Sequence, residues 1–415
     1  MDKIELIFLL IIKNALKGKK TESLEALTVK EWQSLFILAE KHSILPMFYE
    51  SVYSLPQLKK LDAPFIFAAK KKVMNQVLMQ TVRTEEFLCL YKKLLSENIK
   101  PLVIKGITLR CLYPMPDHRP SSDEDVLIPQ NSYSICHEIL TSFGMQTESG
   151  EESREKTYEI PYRKNGSPLF IELHKHLFPP ESEAYGDLNR FFENVFEENS
   201  FVNVNGVNVY TLNPTDNLFY LLCHAFKHFL HSGFGIRQVC DIVTYAEKYG
   251  ENIDWLKVFD NCRAINALCF AASIFNIGEK YLGFDKEKAR FSEEWEAVEV
   301  NEEDMLIDLL TGGLYGASDM SRKHSSNITL DAVVSTKKGK KKSNSVLLSL
   351  FPAREKLETR YSYLKSHPYL LPVAWTQRII KYSKETREMK NNKASESLRI
   401  GSERVELLKK YKIIK

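Results

Sequence analysis

The chain reads as an α+β protein: a small unit of strands and helices ending in a hairpin, with helical regions before and after it. Three observations predict this. Residues 1–97, and those from Asp216 onward, carry apolar residues at helical spacing. Between them the pattern changes to short apolar runs such as Pro101–Ile104 and Glu124–Ile128, each ended by a turn or a proline. Two strand-like pairs are joined by turn residues, Asn165-Gly-Ser-Pro168 and Asn205-Gly206.

At 415 residues the chain is longer than one ordinary domain. We expect a helical region over 1–98, an α/β core over 99–212 and a helical domain over 213–330. A Lys-rich loop over 331–346 and a helical extension over 347–415 complete the division. An apolar content of 44% suffices for sizeable cores.

The elements follow in order. Ile4–Ile12 is short and has no small-residue cleavage site after it, so it predicts the buried face of a first helix, not a signal peptide. Leu24–Glu40 is helical, and Leu45-Pro46 breaks the pattern. Lys70–Glu97 predicts one long helix with Val73, Val77, Leu78, Val82, Phe87, Leu88, Leu94 and Leu95 as its apolar stripe. Pro101–Ile104 is a buried strand ending at Lys105-Gly106. Ile107–Tyr113 is a helix stopped by Pro114 and Pro116. Glu124–Ile128 is a second strand and Tyr133–Phe143 a helix. Tyr158–Arg163 and Leu169–His174 make a hairpin, and Phe201–Tyr210 makes another that joins or caps the sheet. Helices return at Leu218–His231 and Ile236–Tyr249 and continue to about Leu310. Ser335–Asn344 predicts an exposed loop, and Ser402–Tyr411 a last helix.

Net charge is +3, too small to argue for nucleic acid alone. The distribution is uneven. Residues 293–308 are acidic, whereas 378–415 hold 12 Lys/Arg against 5 Glu. That basic end admits RNA as a partner, although a solvated helix face accounts for it more simply. Seven singly placed cysteines with no Cys-x-x-Cys pair fit reduced thiols in a cytoplasm. No stretch reaches the roughly 18–20 apolar residues of a membrane span. Trp375 and the Tyr361/Tyr363 pair read as core or interface aromatics.

The chemistry concentrates in Lys105-Gly106, Arg119-Pro-Ser-Ser-Asp-Glu-Asp125 and Phe170-Ile-Glu-Leu-His174. Asp123 and Asp125 are spaced i, i+2, which puts both on one face of a strand. Glu172 arrives on a second apolar strand. Three hard oxygen ligands converging on one point suit Mg²⁺, or Mn²⁺, held against a triphosphate. A surface acidic pair is common, but a carboxylate on a buried strand is costly unless it is paired or metal-bound. The expected reaction is nucleotidyl transfer from an NTP. Asp123 and Asp125 share the metals, while Glu172 completes the site and positions or deprotonates an acceptor hydroxyl. Lys105 and Arg119 offer charge to phosphate, and Gly106 lets backbone N–H groups approach it at a helix start.

These residues resemble the polymerase-beta-like nucleotidyltransferase superfamily, and more narrowly a bacterial family of uncharacterised nucleotidyltransferases. The resemblance is carried by Lys105-Gly106, Tyr113-Pro114, Arg119, Asp123-Glu-Asp125 and Glu172-Leu-His174. His224-x-x-x-His228, Arg237-x-x-x-Asp241 and the upstream Lys41-His-Ser-Ile-Leu-Pro46 extend it over roughly residues 20–260. It implies a mixed sheet with a helical partner domain, and an NTP as donor. It also implies a phosphate-side role for His224 and His228, with Arg237 a weaker phosphate candidate. The acceptor stays open: a sugar or other small molecule, RNA or a protein hydroxyl.

The chain departs from the superfamily twice. Gly106 is followed by Ile107, not Ser or Gly, so the phosphate-contacting hydroxyl is either missing or moved to Thr108 or Ser122. Glu124 stands where an apolar residue is usual, suggesting an edge strand or a site partner. His174 shares a strand face with Glu172 and either orients it, senses the nucleotide or is simply packed. Arg237 and Asp241 are spaced for an intrahelical ion pair. Two other readings are carried: a decayed nucleotide- or RNA-binding regulator, and a metal-dependent hydrolase using His224 and His228.

Overall fold

A computed structural model describes residues 1–313, 320–339, 354–357, 361–388 and 394–414. The first two helices start where side chains satisfy their free N–H groups. Asp2 and Glu5 form a capping box on α1 (Lys3–Leu16), and Thr28 and Glu31 form one on α2 (Val29–Lys41). Ile7, Phe8, Ile11 and Ile12 are the buried face of α1. Pro46 does not simply end a helix. It sits in the first turn of α3 (Leu45–Val52), where its missing N–H costs nothing.

The long helix α4 (Ala63–Ser96) begins earlier than expected. Its stripe is divided. Val73 joins a large helical core, whereas Phe87, Leu88, Leu90, Tyr91 and Leu94 join the core under the sheet. Leu78, expected on the buried face, is exposed.

Next come β1 (Leu102–Val103), the single-turn helix α5 (Ile107–Arg110), β2 (Glu124–Leu127) and α6 (Tyr133–Ser142). β3 (Met145–Gln146), a short α7 (Glu151–Lys156), β4 (Glu159–Lys164) and β5 (Phe170–His174) follow. The sheet order is β1-β2-β5-β4-β3, with β2 and β5 parallel and the other pairs antiparallel. The hairpin β6 (Asn199–Val204) and β7 (Val207–Leu212) forms its own two-stranded sheet. It caps the larger one, because Val204, Val207 and Val209 enter the same core as Val126, Ile171 and Leu173.

Helices α8 (Pro214–Leu230), α9 (Ile236–Tyr249), α10 (Trp255–Ala264), α11 (Leu268–Ile277), α12 (Glu293–Glu296), α13 (Glu303–Gly312) and α14 (Met320–Lys337) follow. They share one apolar core with α1–α3, so the helical regions on either side of the α/β core pack together in space. The expected loop over 335–344 begins as the last turn of α14, and Lys337 and Lys338 pair with Asp187 and Glu183. The rest of that lysine run, from Lys340, lies outside the described residues. Tyr361, Tyr363 and Trp375 pack around Leu357, Leu364 and Ala374 as a small satellite cluster. The final helix, Ala394–Lys410, is longer than expected. Its basic residues enter ion pairs, Arg404 with Asp308, Arg399 with Glu403 and Lys410 with Asp304. No described helix is long and apolar enough to cross a membrane.

Candidate active site

The register of two parallel strands builds the site. Asp125 lies directly opposite Glu172, and Leu127 opposite His174. Successive side chains alternate faces, so Glu124 and Val126 point with Ile171 and Leu173 into the sheet core. Asp125, Glu172 and His174 point the other way, toward α8. Their ligand atoms lie within 4.8 Å of one another. Among the described residues this is the group able to hold a metal, and Asp123 is not part of it. Asp123 stands one residue before β2 and is half-buried, and Ser122 beside it is exposed.

Lys105, at the end of β1, reaches the same point. Its Nζ is 3.2 Å from Asp125 Oδ2 and 2.9 Å from His224 Nε2. A lysine has only donors to give, so His224 Nε2 accepts from it. His228 Nε2 lies 3.2 Å from the same nitrogen. On the other side His174 Nε2 lies 3.2 Å from Asp125 Oδ1 and 3.8 Å from Glu172 Oε2.

Charge is held firmly here. Burial opposes ionisation of Asp125, which is 2% exposed, but Lys105 and the His174 N–H outweigh it and keep the carboxyl well below its usual range. Burial also works against a charged His174. Its contacts with Asp125, Glu172 and Glu159 prevail and push it up to about 9. His224 and His228 go the opposite way, driven down by burial and by the lysines beside them.

Gly106 and Glu124 explain each other. Gly106 has φ +77°, and a Cβ there would lie 2.0 Å from Glu124 Oε2. That oxygen accepts the Ile107 N–H at 2.6 Å, and Glu124 pairs with Arg110 at 2.7 Å. The helix start expected to offer its N–H to phosphate therefore spends it on an internal carboxylate. The suggestion that Glu124 marks an edge strand is also corrected. β2 is an interior strand, and Glu124 is fully buried on the face away from the site.

Arg119 has a partner within the protein. It is 3% exposed and grips Asp241 with two bonds, Nε to Oδ1 at 2.7 Å and Nη2 to Oδ2 at 2.6 Å. Tyr113 donates to the same carboxylate at 2.6 Å. Asp241 thus pairs across elements, not within its helix, and Arg237 donates to the Pro120 carbonyl. These residues clamp α9 onto the segment 113–120.

Sequence reasoning missed Glu159 and Lys227. Glu159 opposes His174 across the β4–β5 ladder, with Oε2 3.9 Å from His174 Nδ1. Lys227 lies in the field of Asp125, Glu172 and Glu159; burial, then Lys105, lowers its pKa. The available signal was spacing, since Lys227 is three residues after His224 and shares its helix face.

A family model described as an uncharacterised nucleotidyltransferase matches residues 28–283. No curated protein and no solved structure gives a match.

Proposed function

The chain belongs to the uncharacterised nucleotidyltransferase family, and on that premise we propose that it moves a nucleoside monophosphate from an NTP to a hydroxyl acceptor. The observation that supports this reading best is the pairing of Asp125 with Glu172 on one sheet face, opposite a basic helix face. The donor set suits a divalent cation: two carboxylates give hard oxygens, and His174, once the cation displaces the proton it holds against Asp125, gives an imidazole nitrogen that Mn²⁺ accepts more readily than Mg²⁺. Asp123, two residues before Asp125, stays in this proposal as a further carboxylate for a bound metal–NTP complex. When bound, the cation would neutralise the triphosphate and favour in-line displacement at its α-phosphorus.

The protein's own groups then divide the work. Lys105 exchanges Asp125 for phosphate oxygens as the NTP enters, and Lys227 adds a second positive charge on the α8 side. Neutral His224 and His228 hold Lys105 in place without adding like charge. Glu172, at 28% exposed the most open of the cluster, orients the acceptor hydroxyl and takes its proton. The bond formed joins that oxygen to the α-phosphorus, and the bond broken releases pyrophosphate.

The test supplies α-labelled NTPs with Mg²⁺ or Mn²⁺ and fractionated RNA, protein and small-molecule acceptors. Label transfer should fall by about 1000-fold or more in Asp125→Asn, with the fold retained. Transfer that survives this change would sink the proposal. One observation favours a second reading, a nucleotide-binding regulator: the Ile107 N–H is already spent on Glu124. Metal-dependent NTP binding without transfer would select it. The hydrolase reading is weakened, because the described metal-capable group includes neither His224 nor His228.

A further inference from the structure

Helix α4 carries an apolar stripe on the face turned away from both cores. Phe67, Met74 and Leu78 are 70%, 60% and 56% exposed. Isolated exposed apolar residues need no account, but these repeat at helical period. At 100° per residue, Phe67, Lys71, Met74, Val82, Glu85 and Cys89 all fall within about 40° of Leu78 around the helix axis. The stripe therefore runs straight along the helix. Lys71, Glu85 and Cys89 on it are exposed.

The order of residues along this stripe is self-complementary. A two-fold axis at Leu78, perpendicular to the helix, sets each residue beside the one equally far on the other side. Lys71 then meets Glu85, Met74 meets Val82, and Phe67 meets Cys89. A parallel pairing would instead set Lys71 against Lys71 and Glu85 against Glu85. Glu85 accepts one bond from Asn205 Nδ2 at 3.0 Å, which orients a carboxylate that has further acceptor sites.

We infer that the chain forms a two-fold homodimer in which the α4 stripes of two copies pack antiparallel, centred on Leu78. Apolar contact supplies the attraction, and the two Lys71–Glu85 pairs fix direction and register. The opposite face of α4 stays on the cores of its own copy.

Sedimentation velocity on the full chain, over a dilution series, tests this. The parent should be a dimer. Leu78→Glu sets two carboxylates against each other at the axis and should raise the dimer Kd by about 100-fold or more, with an unchanged circular dichroism spectrum. Lys71→Glu should weaken the dimer, and Lys71→Glu/Glu85→Lys should restore it. Phe67→Cys should form a disulfide-linked dimer with the native Cys89, and Cys89→Ala should abolish it. Within one helix those positions are about 33 Å apart, so the bond can form only between copies. A parent that is monomeric throughout, a dimer indifferent to Leu78→Glu, or a charge swap that fails to restore pairing would each overturn the inference.

Discussion

Glu124 and Asp125 are neighbours in sequence and opposites in role, because a strand turns successive side chains to opposite faces. Asp125 faces α8 and the proposed substrate. Glu124 faces the core, where it neutralises Arg110 and caps the turn after Gly106; the two charged side chains are 0% and 1% exposed. Glu124→Gln would leave the Arg110 guanidinium buried without its counter-charge. We expect a loss of about 3–5 kcal/mol in unfolding free energy, measured by urea denaturation. A loss below about 1 kcal/mol would show that the pair does not hold this corner. The carboxylates at 125 and 172 were legible because strand acids among apolar residues are rare. Glu124 was misjudged for want of its partner. The hint lay in Ile107-Thr-Leu-Arg110, an apolar segment whose arginine required a buried acid.

At the scale of elements, α9 is locked to the α/β core by Asp241. It receives two bonds from Arg119 and one from Tyr113, all buried. Spacing alone suggested a pair with Arg237 on the same helix. That order, cation before anion, is the weaker one for an i, i+4 pair. Both residues lie on the buried face of α9, where partners on other elements compete. Asp241→Asn removes the charge that balances Arg119. It should destabilise the fold by about 3 kcal/mol and expose the segment 113–120 to protease. Unchanged stability together with an unchanged cleavage pattern would show the clamp to be dispensable. Strands β4 and β5 were readable because apolar and polar residues alternate along most of their length, and β2 because its apolar run Val126–Ile128 stops at Pro129. β3 is two residues long and carries no such pattern. The division of the α4 stripe was hidden for a different reason. Helical period gives the angle of each residue, but not which of two apolar faces meets a core.

Across the whole molecule, the N-terminal helices and α8–α13 share one core, and His42 stands at their junction. Its Nδ1 accepts the Ile236 N–H that opens α9, and its ring lies 5.7 Å from that of Phe8 on α1. Burial, with Lys41 adding to it, pushes His42 down to about 3 from its ordinary value near 6.5. The folded protein thus keeps this imidazole neutral, whereas the unfolded chain protonates it at mild acidity. Between pH 6.5 and about 3 the unfolded state binds one proton more, so stability falls as pH falls, by about 1.4 kcal/mol per unit. Above pH 6.5 the contribution is fully present. His224, His228 and His231 are shifted downward as well and steepen the same slope. His42→Gln separates their effect from that of His42, because a glutamine oxygen can accept the Ile236 N–H and does not titrate. Urea unfolding at pH 7 and at pH 5 should therefore show a smaller acid loss in the variant, by about one proton's slope. Equal losses in the two proteins would mean that His42 is solvated or charged in the fold, and that the junction between the two helical regions is not what acid opens first.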